Sequence, residues 1–135
     1  IYDLIDWTHQ EKTRLAFELI DVDADITHVW VVCLRLMARS KNFYQQVITT
    51  SGCNSFYNGY YLRCQNNLLR MAGGRERCDD AMLFTIRFTA AGITQMITEW
   101  ITDGMAQPPE EMAKLLVESM PAKYLQAHKS QKSRG

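Results

Sequence analysis

Four cysteines, Cys33, Cys53, Cys64 and Cys78, are the first residues to test for chemistry. No two of them lie two to four residues apart, so the usual zinc half-site spacing is missing. Cys33 and Cys64 sit inside apolar helical patterns, where a free thiol behaves as a small hydrophobe. That usage suits a reducing compartment, and the cytoplasm is the expected location. Cys53 falls in the polar stretch Thr50-Ser51-Gly52-Cys53-Asn54, where an exposed thiol would be open to oxidation. The acids Asp21, Asp23 and Asp25 alternate like the start of a calcium loop. The glycine and the distal glutamate of such a loop are missing at the required offsets, and helix capping explains the acids. Ser51 and Ser55 lack a G-x-S-x-G elbow, and no H-E-x-x-H, phosphate loop or dinucleotide fingerprint appears. No catalytic residue, metal or cofactor is therefore expected.

Arg87 is the sharpest polar candidate, because it stands between Ile86 and Phe88 in a mostly apolar stretch. Facing inward, it would need an anion, since an unpaired buried charge is costly. A ligand carboxylate or phosphate would serve, as would an acid from a neighbouring helix; facing solvent, it needs neither. His9 and His28 read either as surface or capping residues or as pH-sensitive polar contacts.

These residues must be positioned by helices. No stretch alternates apolar and polar residues for long enough to make a strand, so the expected class is all-α, a bundle of about six helices. The first helix is expected over about 2–20. Ile26 to Arg39 follows, with an acidic cap and apolar residues around most of its circumference, which marks a central helix. Ser40 opens a short helix carrying Phe43, Tyr44, Val47 and Ile48. Ser55 is a plausible cap for the next, which bears Tyr57, Tyr60, Tyr61 and Cys64 and stops at Gly73-Gly74. Asp79 or Asp80 caps the longest helix, running to Asp103 with Gly104 behind it. Pro108-Pro109-Glu110-Glu111 opens another, and Pro121 ends or kinks it.

Length and composition agree. The chain has 135 residues, with 47% hydrophobic and 22% charged, enough for one folded domain. The formal net charge is zero, so the chain has no overall positive field with which to grip nucleic acid. No apolar run approaches the roughly 20 residues of a membrane span. Ile1 is not an initiator methionine and no signal segment follows it, so the chain reads as a fragment or a processed product. Residues 1–126 are expected to form the domain. Residues 127–135, with Lys129, Lys132 and Arg134 and no acid, are expected to form a basic flexible tail, solvated or in weak contact with nucleic acid.

The longest helix carries two stripes. One holds Met82, Ile86, Thr89, Ile93, Met96, Ile97 and Trp100; the other holds Phe84, Phe88 and Ala91. Ala90, Ala91 and Gly92 in succession reduce bulk and permit another helix to come close. A two-sided helix needs two partners, its own domain and, in one reading, a second copy of the chain. With the amphipathic segment Met112, Leu115, Leu116, Ser119 and Met120 it would then form half of a dimeric four-helix interface. In the other reading, both stripes are core of a larger monomer.

Phe88-Thr89-Ala90-Ala91-Gly92-Ile93, then Glu99-Trp100-Ile101-Thr102-Asp103-Gly104-Met105, then Pro109-Glu110-Glu111-Met112-Ala113 resembles the paired dimerisation helices of tetracycline-repressor (TetR) family transcriptional regulators. Asn42-Phe43-Tyr44 and Ser55-Phe56-Tyr57 resemble that family's aromatic helix starts, and Tyr2-Asp3-Leu4-Ile5 resembles the opening of the helix after its DNA-binding domain. The resemblance implies an effector-sensing, dimerising domain of a bacterial regulator. It implies a homodimer, an unidentified small-molecule effector, no enzymatic activity, and DNA contact only through a helix-turn-helix domain that this chain lacks. Pro108 stands where the family often has a serine or threonine cap. An effector inside the bundle would meet Trp7, Trp30, Cys33, Met37, Phe43, Tyr57, Tyr60, Tyr61, Phe84, Arg87 and Phe88. The dimer would meet through Thr89, Ile93, Met96, Ile97, Trp100, Met112, Leu115, Leu116, Ser119 and Met120. The competing reading of the aromatics is plain core packing, in a helical protein-interaction domain without an effector.

Overall fold

A computed structural model describes residues 25–134 of the chain. The expected helix over 2–20, with Trp7, His9, Asp21 and Asp23, lies outside them. The described residues form α1 (Ile26–Arg39), α2 (Lys41–Ser51), α3 (Cys53–Met71), a 3-10 turn (Arg75–Arg77), α4 (Asp80–Thr102), α5 (Pro109–Glu118) and α6 (Ala122–Arg134). The protein is an all-α helical bundle, and no strand occurs among the described residues.

Local chemistry sets the boundaries. The Asp25 carboxylate accepts from the Thr27 amide, and the Asp79 carboxylate accepts from the Met82 amide at 2.8 Å, which satisfies orphan donors at the starts of α1 and α4. Ser55 does not cap α3; that helix begins two residues earlier, with Gly52 at the cap position. α3 stops at Gly73 (φ +101), where the Gly74 amide donates to the Leu69 carbonyl and the Gly73 amide to that of Arg70. A left-handed residue is needed there, and glycine supplies it without a Cβ clash. Met105 and Gly104 close α4 with the same bonds, to Trp100 and Ile101. Pro108 and Pro109 start α5 without a capping side chain, and Glu110 and Glu111 fill its first turn.

The packing follows the apolar spacing. Ile26, Trp30, Leu34 and Met37 recur at helical intervals on α1 and are buried. α1 packs chiefly on α5, and α3 chiefly on α4. Leu34, Leu68, Ile86, Ile97 and Ile101 are fully enclosed. Burying a side chain of that size is worth about 1.5–3 kcal/mol. An aromatic chain joins α2 to α3: Phe43 meets Tyr44 edge to face at 5.3 Å, Tyr44 meets Phe56 at 6.4 Å, and Phe56 stacks on Tyr60 at 5.6 Å.

The basic tail needs correction. Residues 122–134 are helical, and the inner face of α6 is anchored. Tyr124 is fully buried, with its hydroxyl donating to the Leu68 carbonyl, and His128 is buried with Nδ1 bonded to the Met71 carbonyl at 3.1 Å. Both carbonyls belong to the last turn of α3: that of Leu68 also accepts from the Ala72 amide at 3.1 Å, and that of Met71 is one of the helix's terminal carbonyls. The overall basic composition concealed a polar-aromatic face.

Candidate functional site

α4 carries the apolar row beside the groove, and its threonines explain how it can be buried deeply on one side. Thr94 and Thr98 are buried, yet each hydroxyl donates back to the carbonyl four residues earlier, Ala90 and Thr94, at 2.7 Å. The hydroxyls are thereby satisfied, and the threonines pack as apolar residues. The opposite face carries Phe84, Phe88, Gly92 and Met96 at four-residue intervals. Phe84 and Phe88 are 67% and 69% exposed, far above what single surface apolar residues need to explain.

Between α4 and α5 the surface opens into a groove of about 430 Å³. Its floor is formed by Thr89, Ile93, Trp100, Met112, Leu116 and Met120, all buried. Its walls are Phe88, Gly92, Met96, Leu115 and Ser119, all exposed. Glu99, Asp103 and Gln107 lie at one end. The Trp100 indole donates to the Gln107 carbonyl at 2.9 Å, which holds the α4–α5 loop against the groove. Nine of the ten residues expected at the dimer interface line this groove; the tenth, Ile97, is fully enclosed in the core. Ile93, Trp100 and Leu116 are each covered by their own chain, so they support the groove from beneath. The side chains left open are Phe84, Phe88, Met96 and Leu115. Glu99, Asp103 and Gln107 were not singled out from the sequence, because polar residues at a helix end look like ordinary solvated surface.

The expected effector residues divide in two. Trp30, Met37 and Tyr60 belong to one core cluster, with Phe43 and Tyr61 packed against it. The Tyr60 hydroxyl reaches the Met37 sulfur at 3.9 Å, Tyr57 stacks on Tyr61 at 6.2 Å, and the Tyr57 hydroxyl donates to the Ala91 carbonyl at 3.3 Å. Cys33 is buried beside Val29. The Trp30 indole N–H is buried with no hydrogen-bond partner. Phe84, Arg87 and Phe88, in contrast, point outward, so they do not line the bundle interior. The run Phe84–Phe88 follows the four-residue spacing of one helix face, and that face is turned away from α3. Trp7 lies outside the described residues.

Burial pushes the Cys33 thiol up to about 12 and raises Cys64 further. Cys78, half-buried, is raised by desolvation and by Asp79. The side chain of Cys53 lies outside the described residues. No group of three or more His, Cys, Asp or Glu that could hold a metal occurs among the described residues. Arg35 of α1 pairs with Glu110 of α5, Nε to Oε1 at 2.6 Å. Hydrogen bonds from its own backbone amide and from Arg35 lower the Glu110 carboxyl below its ordinary value.

The described residues thus form a helical bundle with a long two-faced helix and an apolar groove beside it. Residues 25–121 match a family described as a transcriptional regulator C-terminal region. The chain belongs to that family, the C-terminal region of TetR-family transcriptional regulators. No curated protein and no solved structure matches it. No described helix is long and apolar enough to cross a membrane.

Proposed function

We propose that this domain senses a small-molecule effector and dimerises, passing the signal to a helix-turn-helix unit outside residues 25–121. The observation that carries the reading is the α4–α5 groove, flanked by an exposed apolar row on the very helices expected to pair. Contiguous apolar surface of that kind marks an association site. Two copies meeting there would couple effector binding in each bundle to the spacing of two DNA-reading units, by population shift between two arrangements. The effector would enter between α1, α3 and α4, near Trp30, Met37 and Tyr60. The unpartnered Trp30 N–H supports this, since a buried donor gains when a ligand brings an acceptor. The domain acts as a regulator in the cytoplasm and catalyses nothing.

The competing reading, a protein-interaction domain without an effector, draws on the Tyr44-Phe56-Tyr60 ring contacts that fill the core between α2 and α3. Two measurements decide. Sedimentation equilibrium of the 135-residue chain should show a dimer at micromolar concentration; a monomer at high micromolar concentration overturns the dimer. A thermal-shift screen against metabolites should find a compound that raises Tm in the parent and raises it less in Trp30→Phe. If no compound raises Tm, the effector reading fails and the interaction domain is favoured.

A further inference from the structure

We propose that two copies cross through antiparallel α4 helices at Gly92, so that Phe84 and Phe88 of each copy fill the groove of the other. The proposal rests on the dimer reading above and adds its register and its anchors.

Three observations point to the same crossing. First, Gly92 lies in the middle of α4, a poor place for a weak helix former, and nothing in its own chain requires it: a Cβ built there meets no atom within 4 Å. A second helix passing close over that point supplies the missing reason. Second, the exposed row is self-complementary about Gly92. Phe84 and Phe88 stand eight and four residues before it and project from the surface, Phe88 at the groove wall, while Met96 and Trp100 stand four and eight residues after it, Met96 on the groove wall and Trp100 in its floor. An antiparallel crossing therefore sets Phe88 against the partner's Met96, and Phe84 against the partner's Trp100. A twofold axis repeats both contacts, as a closed interface requires. The groove is then filled by the partner's projecting rings.

Third, the charges agree with this orientation. α4 carries Asp80 in its first turn, Arg87 nearer its middle and Glu99 in its second half, and Asp103 follows at the helix end. Antiparallel packing about Gly92 brings Arg87 of one helix toward Glu99 and Asp103 of the other. Parallel packing would instead oppose acid to acid, Glu99 to Glu99, at the groove end.

The test is sedimentation equilibrium of the full chain with three variants. Gly92→Gln adds a good helix former where the single chain has open space. Phe84→Ala with Phe88→Ala removes the two projecting rings. Leu62→Ala removes an apolar residue of similar exposure, 59%, on α3 away from the groove. The expected result is a dimer Kd raised at least tenfold by Gly92→Gln and by the double variant, with helical circular dichroism retained, and unchanged by Leu62→Ala. Gly92→Cys should also give a covalent dimer on mild oxidation, beyond any formed by the parent. A parent dimer whose Kd is unmoved by Gly92→Gln and by the double variant overturns this register and leaves the dimer reading standing. A parent that stays monomeric at high micromolar concentration overturns both.

Discussion

The Tyr124 hydroxyl donates to the Leu68 carbonyl at 2.8 Å, across 56 residues of sequence, and both groups are buried. The bond joins the first turn of α6 to the last turn of α3, adding a second donor to a carbonyl that already accepts from the Ala72 amide. His128, one turn further along α6, bonds to the Met71 carbonyl at the helix's C-terminal end. α6 is thus the cap of α3, supplied from a distant segment.

Removing only the hydroxyl takes one of two donors from the Leu68 carbonyl, which keeps the Ala72 amide. Tyr124→Phe should cost about 1 kcal/mol, by analogy with other buried hydrogen bonds, and lower Tm by a few degrees. Tyr124→Ala removes the ring as well and should cost about 3–5 kcal/mol. Thermal melts of the three proteins at equal concentration check the order; a Tyr124→Phe melt identical to the parent would show that the Ala72 amide alone satisfies the Leu68 carbonyl.

His128 must carry its proton on Nδ1, because a carbonyl can only accept, and its buried Nε2 then has no partner. Asparagine places an N–H near the position of Nδ1. His128→Asn should therefore retain more stability than His128→Leu, although leucine is the more apolar residue. Urea unfolding midpoints decide this, and the reverse order would mean that packing outweighs the bond.

The buried thiols set a boundary at high pH. Cys33 titrates near 9.0 in an unfolded chain and near 12 when buried. Below pH 9 both states are protonated and stability is unaffected. Between about 9 and 12 the unfolded chain ionises while the native one resists, so stability falls with rising pH, by roughly 1 kcal/mol per unit for such a group. Cys64 adds to the same loss. Tyr44, Tyr60 and Tyr124, also raised by burial, join above their ordinary 10.0. Tm measured under reducing conditions should begin to fall near pH 9, and Cys33→Ala with Cys64→Ala should delay that onset by about a unit. In native protein, iodoacetamide should label Cys78 well before Cys33 or Cys64, since only Cys78 of these three is partly open; equal labelling would contradict the burial.

The sequence made the helical skeleton readable because its signals are local. Asp79 before an apolar run, Gly73-Gly74 after one, and Pro108-Pro109 before acids each fix a boundary within a few residues. The bounds of α1 match those expected from Ile26 and Arg39. Ile93, Trp100 and Leu116, expected at a dimer surface, are covered by their own chain instead. What periodicity could not tell was which side of α4 faced inward. Thr94 and Thr98 look polar on paper and Phe84 and Phe88 look like core, yet the first pair is buried and the second exposed. The threonines spend their hydroxyls on their own helix, a bond that hydropathy does not register. α6 was missed for a similar reason: Tyr124 and His128 find their partners on α3, more than 50 residues away.

The turn that α6 covers offers a last check, in which free space and backbone geometry disagree. A Cβ built on Gly74 meets nothing within 4 Å, so sterics alone would tolerate alanine there. Its backbone sits at φ 92 and ψ 167, a region that side chains essentially never adopt. Gly74→Ala should therefore cost about 1–3 kcal/mol despite the open space. The loss should also reach the C-terminal helix, because the turn leads directly into Arg77, whose guanidinium donates to Gln131 at 3.1 Å. Limited proteolysis should cut the variant within α6 faster than the parent. A Gly74→Ala protein with the parent's urea midpoint and the parent's protection of α6 would show that this turn can relax to a conformation open to any residue.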